Sequence, residues 1–215
     1  MTFKTKLLAS TAAALIATGG MVMADAHATH PVTGDALASD QSFSYSILDD
    51  FPSIDPALVE DVEGASVARD LFEGLMNENA AGEVIPGVAT GYEVSEDGLT
   101  YTFTLRENAM WSNGDPVVAG DFVYGLQRAA SPDTASEYAW YMELMGIENA
   151  SEVVAGDVAP DQLGVRAVDD RHFEVTIKNA LPYFPAMTTH GSTFPVNQSV
   201  IEAHGDDWTK PGNLV

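Results

Sequence analysis

Five histidines, 32 acidic residues and no cysteine define the chemistry open to this 215-residue chain. A zinc site needs several Cys, His or carboxylate ligands at short-loop or helical spacing. Only His27 and His30 lie close together; His172, His190 and His204 stand far apart, with no helical His pair among them. No Asp-x-Asp-x-Asp-Gly loop with a distal Glu offers a calcium site. Gly64-Ala65-Ser66-Val67-Ala68 has the outline of a nucleophile elbow, but it lacks the closing Gly and the apolar strand that must aim the serine. Ser66 therefore reads as a residue early in a helix. The acidic pairs Asp49/Asp50, Asp169/Asp170 and Asp206/Asp207 are adjacent in sequence. Neighbours on a strand point to opposite faces, so such pairs serve turns and caps rather than acid–base catalysis. Neither a phosphate loop nor a dinucleotide fingerprint is present. No catalytic residue, no metal and no cofactor is expected, which leaves binding as the chemistry to place.

The clearest elements that could position a binding site lie between Gly91 and Arg128. Leu99, Tyr101, Phe103 and Leu105 alternate with Thr100, Thr102, Thr104 and Arg106, the period of a half-buried strand. Asp97-Gly98 precedes it, with Tyr92 and Val94 on the other side. Asp-Gly between alternating runs signals a hairpin, because the turn needs positive φ. Trp111-Ser112-Asn113-Gly114-Asp115-Pro116 predicts a loop, and Phe122, Leu126 and Ala129 at i, i+4 and i+7 predict a helix beyond it. Upstream, Phe43, Tyr45 and Ile47 alternate with serines and predict a strand. Asp55-Pro56 predicts a capped helix start. Val67, Ala68, Leu71, Phe72 and Leu75 predict a core-facing helix from Ser66 to about Met76. Downstream come a helix over about Tyr138 to Ile147, a second hairpin from Gly164 to Lys178 turning at Asp169-Asp170, and a short helix from Ser199 to His204.

Hydrophobic residues make up 46% of the chain, enough for a sizeable core. The N-terminus is of another kind. Lys4 and Lys6, an apolar Ala-rich run from Leu7 to Thr18 and the small-residue pattern Ala24-Asp25-Ala26 predict a cleaved export signal over residues 1–26. Gly19-Gly20 interrupts the run too early for a membrane span, which needs about 20 apolar residues. The net charge of −23 excludes nucleic acid as a partner, since that requires basic surface to displace counterions. The acids are scattered, as suits solubility rather than a single cation-binding patch.

Several segments carry a resemblance in a fixed order. They are Ile54-Asp55-Pro56, Arg69-Asp70-Leu71-Phe72-Glu73-Gly74-Leu75, Pro86-Gly87-Val88-Ala89, the block from Gly91 to Arg128, Leu163-Gly164-Val165, Asp169-Asp170-Arg171 with Phe173-Glu174-Val175, Pro182-Tyr183-Phe184, and Trp208-Thr209-Lys210-Pro211-Gly212-Asn213. In order and spacing they resemble the solute-binding proteins of bacterial ABC importers, specifically the oligopeptide-binding group of extracellular solute-binding protein family 5. The resemblance covers nearly everything after about Phe43. It implies an α/β fold: a periplasmic binding protein type II-like two-lobe architecture with an extra small α+β domain, only the N-terminal part being present. By it, residues 27–72 are a leader and the first segment of ligand-binding lobe I. Residues 73–197 are the small extra domain, and 198–215 a truncated return into lobe I. No Cys follows the signal to carry a lipid, which implies a soluble periplasmic protein.

The same resemblance implies a monomeric, non-enzymatic receptor. It closes two lobes over a peptide and delivers it to the permease subunits of an ABC transporter in the inner membrane. It places four residues at the ligand. Val62 would pair main chain to main chain, and Glu60 would line a side-chain pocket. Tyr138 would pack its ring on the ligand, and His190 would sit beside another pocket. Backbone hydrogen bonds would supply affinity, while wide, wet pockets accept varied side chains. Two departures touch specificity: Asp61-Val62-Glu63-Gly64 adds acid at the first pocket edge, and Phe184-Pro185 stiffens the approach to His190. Relatives of this fold carry dipeptides, nickel complexes, haem, sugars or cell-wall peptides, so the same fold with another solute stands as the alternative. An exported hydrolase is a more distant one, for which the sequence offers no catalytic pair.

Overall fold

The alternation of aromatic residues and threonines after Gly98 folds into the central strand of an antiparallel sheet. The computed structural model describes Ala36, Ser42 and residues 44–215; the expected export signal, most of the leader and Phe43 lie outside the described residues. In chain order the elements are α1 (Val62–Leu71), β1 (Met76–Glu78), β2 (Val84–Pro86), β3 (Ala89–Val94), β4 (Thr100–Leu105), α2 (Ala119–Ala130), α3 (Ala139–Leu144), α4 (Ala150–Val154), β5 (Val165–Asp169), β6 (His172–Thr176), α5 (Phe184–Met187) and α6 (Gln198–His204). The strands β3, β4, β6 and β5 lie side by side in that order, all antiparallel, while β1 and β2 form a separate pair.

Both expected hairpins form. Gly98 takes the positive φ that its turn requires, at 72°. Register sets Phe103 between Tyr92 and Phe173 on neighbouring strands. Tyr101, Phe103, Leu105, Phe173 and Val175 are all buried, whereas Thr100, Thr102 and Thr104 face the half-exposed side. Helix α2 packs on the buried face. The Phe122 ring lies 5.9 Å from Phe173, which lies 6.3 Å from Phe103. Leu126 and Ala129 share that helix face, and Met142, Met145, Ile147 and Val153 fill the space beside it. The Trp111 loop is tied to the first turn of α2 by Asp121, whose Oδ2 accepts from the Val118 N–H at 2.9 Å and from Trp111 Nε1 at 3.1 Å. A second cluster gathers Ala68, Phe72, Trp111, Phe194, Val196, Val200 and Trp208, with Phe72 edge-on to Trp208 at 6.0 Å.

Upstream the structure departs from expectation. Residues 44–48 form no strand; Tyr45, Ile47 and Leu48 are exposed, so their alternation buries no apolar face. Asp55-Pro56 makes a single turn rather than a helix, closed by the Leu58 and Val59 N–H groups donating to the Asp55 carbonyl at 2.8 and 2.9 Å. The N-cap of α1 is Asp61, whose Oδ1 accepts from the Gly64 N–H at 2.6 Å. Ser66 lies in this helix, its hydroxyl donating to the Val62 carbonyl at 2.8 Å. The helix starts earlier and ends sooner than its apolar stripe predicts, because the chain turns extended at Phe72. Leu71 is 51% exposed, and Phe72, extended at the end of the helix, and Leu75 beyond it reach the core. The competing force is a backbone clasp. The Val88 N–H donates to the Gly74 carbonyl at 2.9 Å, and the Ala89 N–H to the Leu75 carbonyl at 3.0 Å. A Cβ at Gly87 would stand 2.5 Å from the Gly74 oxygen, so glycine is required where these backbones cross.

Candidate ligand-binding cavity

A carboxylate taken out of water must find charged or hydrogen-bonding partners to offset its lost hydration. Asp55 is 3% exposed and accepts four hydrogen bonds from three residues. Arg128 Nη1 and Nη2 grip its two oxygens in a fork, each at 2.7 Å. Trp208 Nε1 donates to Oδ2 at 2.8 Å, and the Ala57 N–H to Oδ1 at 3.0 Å. This hub fastens the turn after Ile54 to α2 and to the Trp208 segment. It thereby fixes the stretch that leads to Glu60 and into α1.

Beside that stretch lies a cavity of about 140 Å³. Glu60, Val62, Tyr138 and His190 all line it, although they come from three distant parts of the chain. Arg69 and Ser192 line it as well. Along α1 the cavity meets residues at i, i+3 and i+7 from Val62, one face of the helix. Carboxylates of Glu60 and Asp61 mark the start of this face, and Arg69 stands two turns on, roughly 10 Å further at the helical rise. Asp61 Oδ2 is, among the described residues, a buried side-chain oxygen without a hydrogen-bond partner; it sits at the positive end of the α1 dipole.

The imidazole of His190 is held among rings. Its centroid lies 4.9 Å from that of Tyr138 and 4.5 Å from that of Tyr141, which is nearly parallel to it. The Ser192 N–H donates to His190 Nδ1 at 3.2 Å, and the Ser192 hydroxyl lies 2.8 Å from the same nitrogen. A neutral ring that accepts at Nδ1 carries its proton on Nε2 and is a donor there. Burial, and secondarily the Arg69 charge, push the His190 pKa below its ordinary value of 6.5. The Tyr141 hydroxyl donates to the Met187 carbonyl at 3.1 Å, and burial raises its pKa.

The depressed histidine makes stability depend on pH with a definite sign. Above pH 6.5 the ring is neutral in both folded and unfolded chains and nothing is lost. As pH falls below 6.5 the unfolded chain binds the proton first, so stability drops until the folded value is passed. Urea midpoints measured from pH 7.5 down to 5 should fall more steeply in the wild type than in His190→Gln. Parallel curves would remove His190 from this account.

Arg69, Tyr141 and Ser192 were not among the residues expected from sequence. Two carried a usable signal: Arg69 is seven residues beyond Val62, and Tyr141 three beyond Tyr138, each on one helical face if a helix runs there. Among the described residues, no group of three or more His, Asp or Glu is placed to hold a metal ion, and no helix is long and apolar enough to cross a membrane.

The model of the bacterial extracellular solute-binding proteins, family 5 Middle, matches residues 83–215. The periplasmic murein peptide-binding protein MppA of Escherichia coli (strain K12) is 44% identical over 189 residues, which are 88% of this chain and 35% of that protein. The periplasmic oligopeptide-binding protein OppA of Salmonella typhimurium (strain LT2) is 42% identical over 215 residues, 100% of this chain and 38% of that one. The solved structure of the Escherichia coli murein tripeptide binding protein MppA superposes with a TM-score of 0.76 at 47% identity, over 78% of this chain and 33% of that chain. The chain thus spans a little over a third of the length of the curated relatives it matches.

Proposed function

The chain belongs to the bacterial extracellular solute-binding proteins of family 5, and from that premise we propose that it serves a receptor which captures peptides in the periplasm and delivers them to an ABC importer. Its fold is that of the two-lobe type II periplasmic binding proteins. In this reading the peptide lies extended along the cavity. Val62 pairs with its backbone, while Glu60, Tyr138 and His190 border its side chains. Main-chain bonds give affinity across many sequences, and aromatic faces add contact without demanding one side chain. No bond of the ligand is broken. Closure is a hinge equilibrium biased by contacts that the ligand makes to both lobes. The reading includes export with removal of residues 1–26, a monomeric carrier and an importer permease as the docking partner. It also takes residues 73–197 as the small extra domain of the oligopeptide-binding group.

One observation carries this reading: four residues from distant stretches meet on one cavity in a chain whose relatives bear the names of peptide-binding proteins. Native mass spectrometry of the full-length protein, purified gently, is the test. A ladder of bound masses fitting short peptides is the expected result. A single non-peptide mass, or an empty protein that ignores a peptide mixture, would move the ligand to another class.

A further inference from the structure

Arg69 is unusual among the cations of this chain. Among the described residues, every other arginine and both lysines hold a carboxylate. Arg106 pairs with Glu73, Arg128 with Asp55, Arg166 with Glu174, Arg171 with Glu107, Lys178 with Glu152 and Lys210 with Asp207. Arg69 makes no ion pair and no side-chain hydrogen bond with any described residue, in a chain of net charge −23. It lines the same cavity as Tyr138 and His190 and is close enough to disfavour the protonated imidazole. It also borders a neighbouring cavity formed with Asn77 and Thr189.

An acidic surface repels anionic ligands, so the one guanidinium unpaired among the described residues marks where a carboxylate can be accepted. The fork of an arginine matches a carboxylate in shape as well as charge. His190 adds a second donor. Its Nδ1 is engaged by the Ser192 N–H, which leaves the Nε2–H of the neutral ring for a ligand. Glu60 and Asp61 lie at the other end of the α1 face, so the cavity wall is negative at one end and positive at the other. Arg69 also stands in the last turn of α1, where a cation suits the helix dipole. That role affects stability alone and makes no distinction between ligands.

We propose that Arg69, together with the Nε2–H of His190, forms a subsite for a carboxylate of the bound peptide and so decides where along the ligand an acidic group is accepted. The inference rests on the peptide-receptor reading. The carboxylate is either an acidic side chain or the peptide's C-terminus.

The test is isothermal titration calorimetry on the full-length protein and on Arg69→Gln, using trialanine and its relatives with a single Glu or Gln at each position, every peptide as free acid and as C-terminal amide. The expected result is a preference of about tenfold for the carboxylate form at one place, the size of a charge-assisted hydrogen bond, which Arg69→Gln abolishes and Arg69→Lys keeps in part. A Glu-over-Gln preference lost in the variant assigns the subsite to a side chain. An acid-over-amide preference lost in the variant assigns it to the C-terminus. If the peptides bind but both ratios are the same in wild type and Arg69→Gln, the subsite is disproved while the peptide receptor stands. If none of the peptides binds the wild type, the peptide reading itself fails and the subsite with it.

Discussion

Replacing Asp55 by Ala should cost the fold about 3–5 kcal/mol, the range for removing one partner of a buried ion pair. The side chains of Asp55 and Arg128 are only 4% and 16% exposed. Without the carboxylate, the Arg128 guanidinium keeps its burial and loses both short bonds. Trp208 Nε1 and the Ala57 N–H lose their acceptor at the same time. Each buried donor left unmade adds a penalty of about 1–3 kcal/mol. The pair itself contributes less than this loss suggests, because desolvation offsets much of its attraction. The double variant Asp55→Leu, Arg128→Met should therefore recover much of the stability and retain mainly the deficit of Trp208. Urea unfolding of both single variants and the double one measures the coupling. A single-variant loss below about 1 kcal/mol, or strict additivity, would mean that the hub does not hold these segments together.

That hub also shows what could and could not be read from the residues. Asp55-Pro56 is visible as a motif, and its local rules point to a helix start. Its two side-chain partners, Arg128 and Trp208, stand 73 and 153 residues away, so no local rule could turn the aspartate inward. The helix stripe through Leu71 and Leu75 failed for a related reason. The crossing of Gly74 and Gly87 is a long-range contact, and it overrides periodicity after Leu71. The hairpins at Gly98 and Asp169, and α2 with Phe122, Leu126 and Ala129, were legible because their register and burial are set by neighbours in sequence. At the cavity, matched motifs brought Glu60, Val62, Tyr138 and His190 forward. Arg69 stood within one of the quoted segments, but having no ion pair among the described residues is a property of space, visible only once its neighbours are placed.

Truncating Phe173 to Ala should be comparably damaging, at about 3–5 kcal/mol, for a different reason. Phe173 is 1% exposed and touches both layers, with its ring 6.3 Å from Phe103 of β4 and 5.9 Å from Phe122 of α2. Its loss opens a cavity at the seam between sheet and helix, where neither backbone can collapse without breaking a ladder or a helix turn. Phe173→Leu refills most of the volume and should cost roughly 1–1.5 kcal/mol, in the range of hydrophobic swaps. Tyr92 makes a useful contrast. It also packs against Phe103, with tilted rings 5.6 Å apart, but it is 42% exposed at the sheet edge, so its truncation leaves a dent that water fills rather than a void. Tyr92→Ala should fall well short of Phe173→Ala in a urea titration; equal losses would place the seam at the edge of the sheet and not under α2. The cavity near Tyr138 and His190 lies outside this seam, so well below its unfolding midpoint a folded Phe173→Leu protein should bind ligand as the wild type does. A loss of affinity in that variant would show that the sheet–helix core sets the shape of the binding wall as well as its stability.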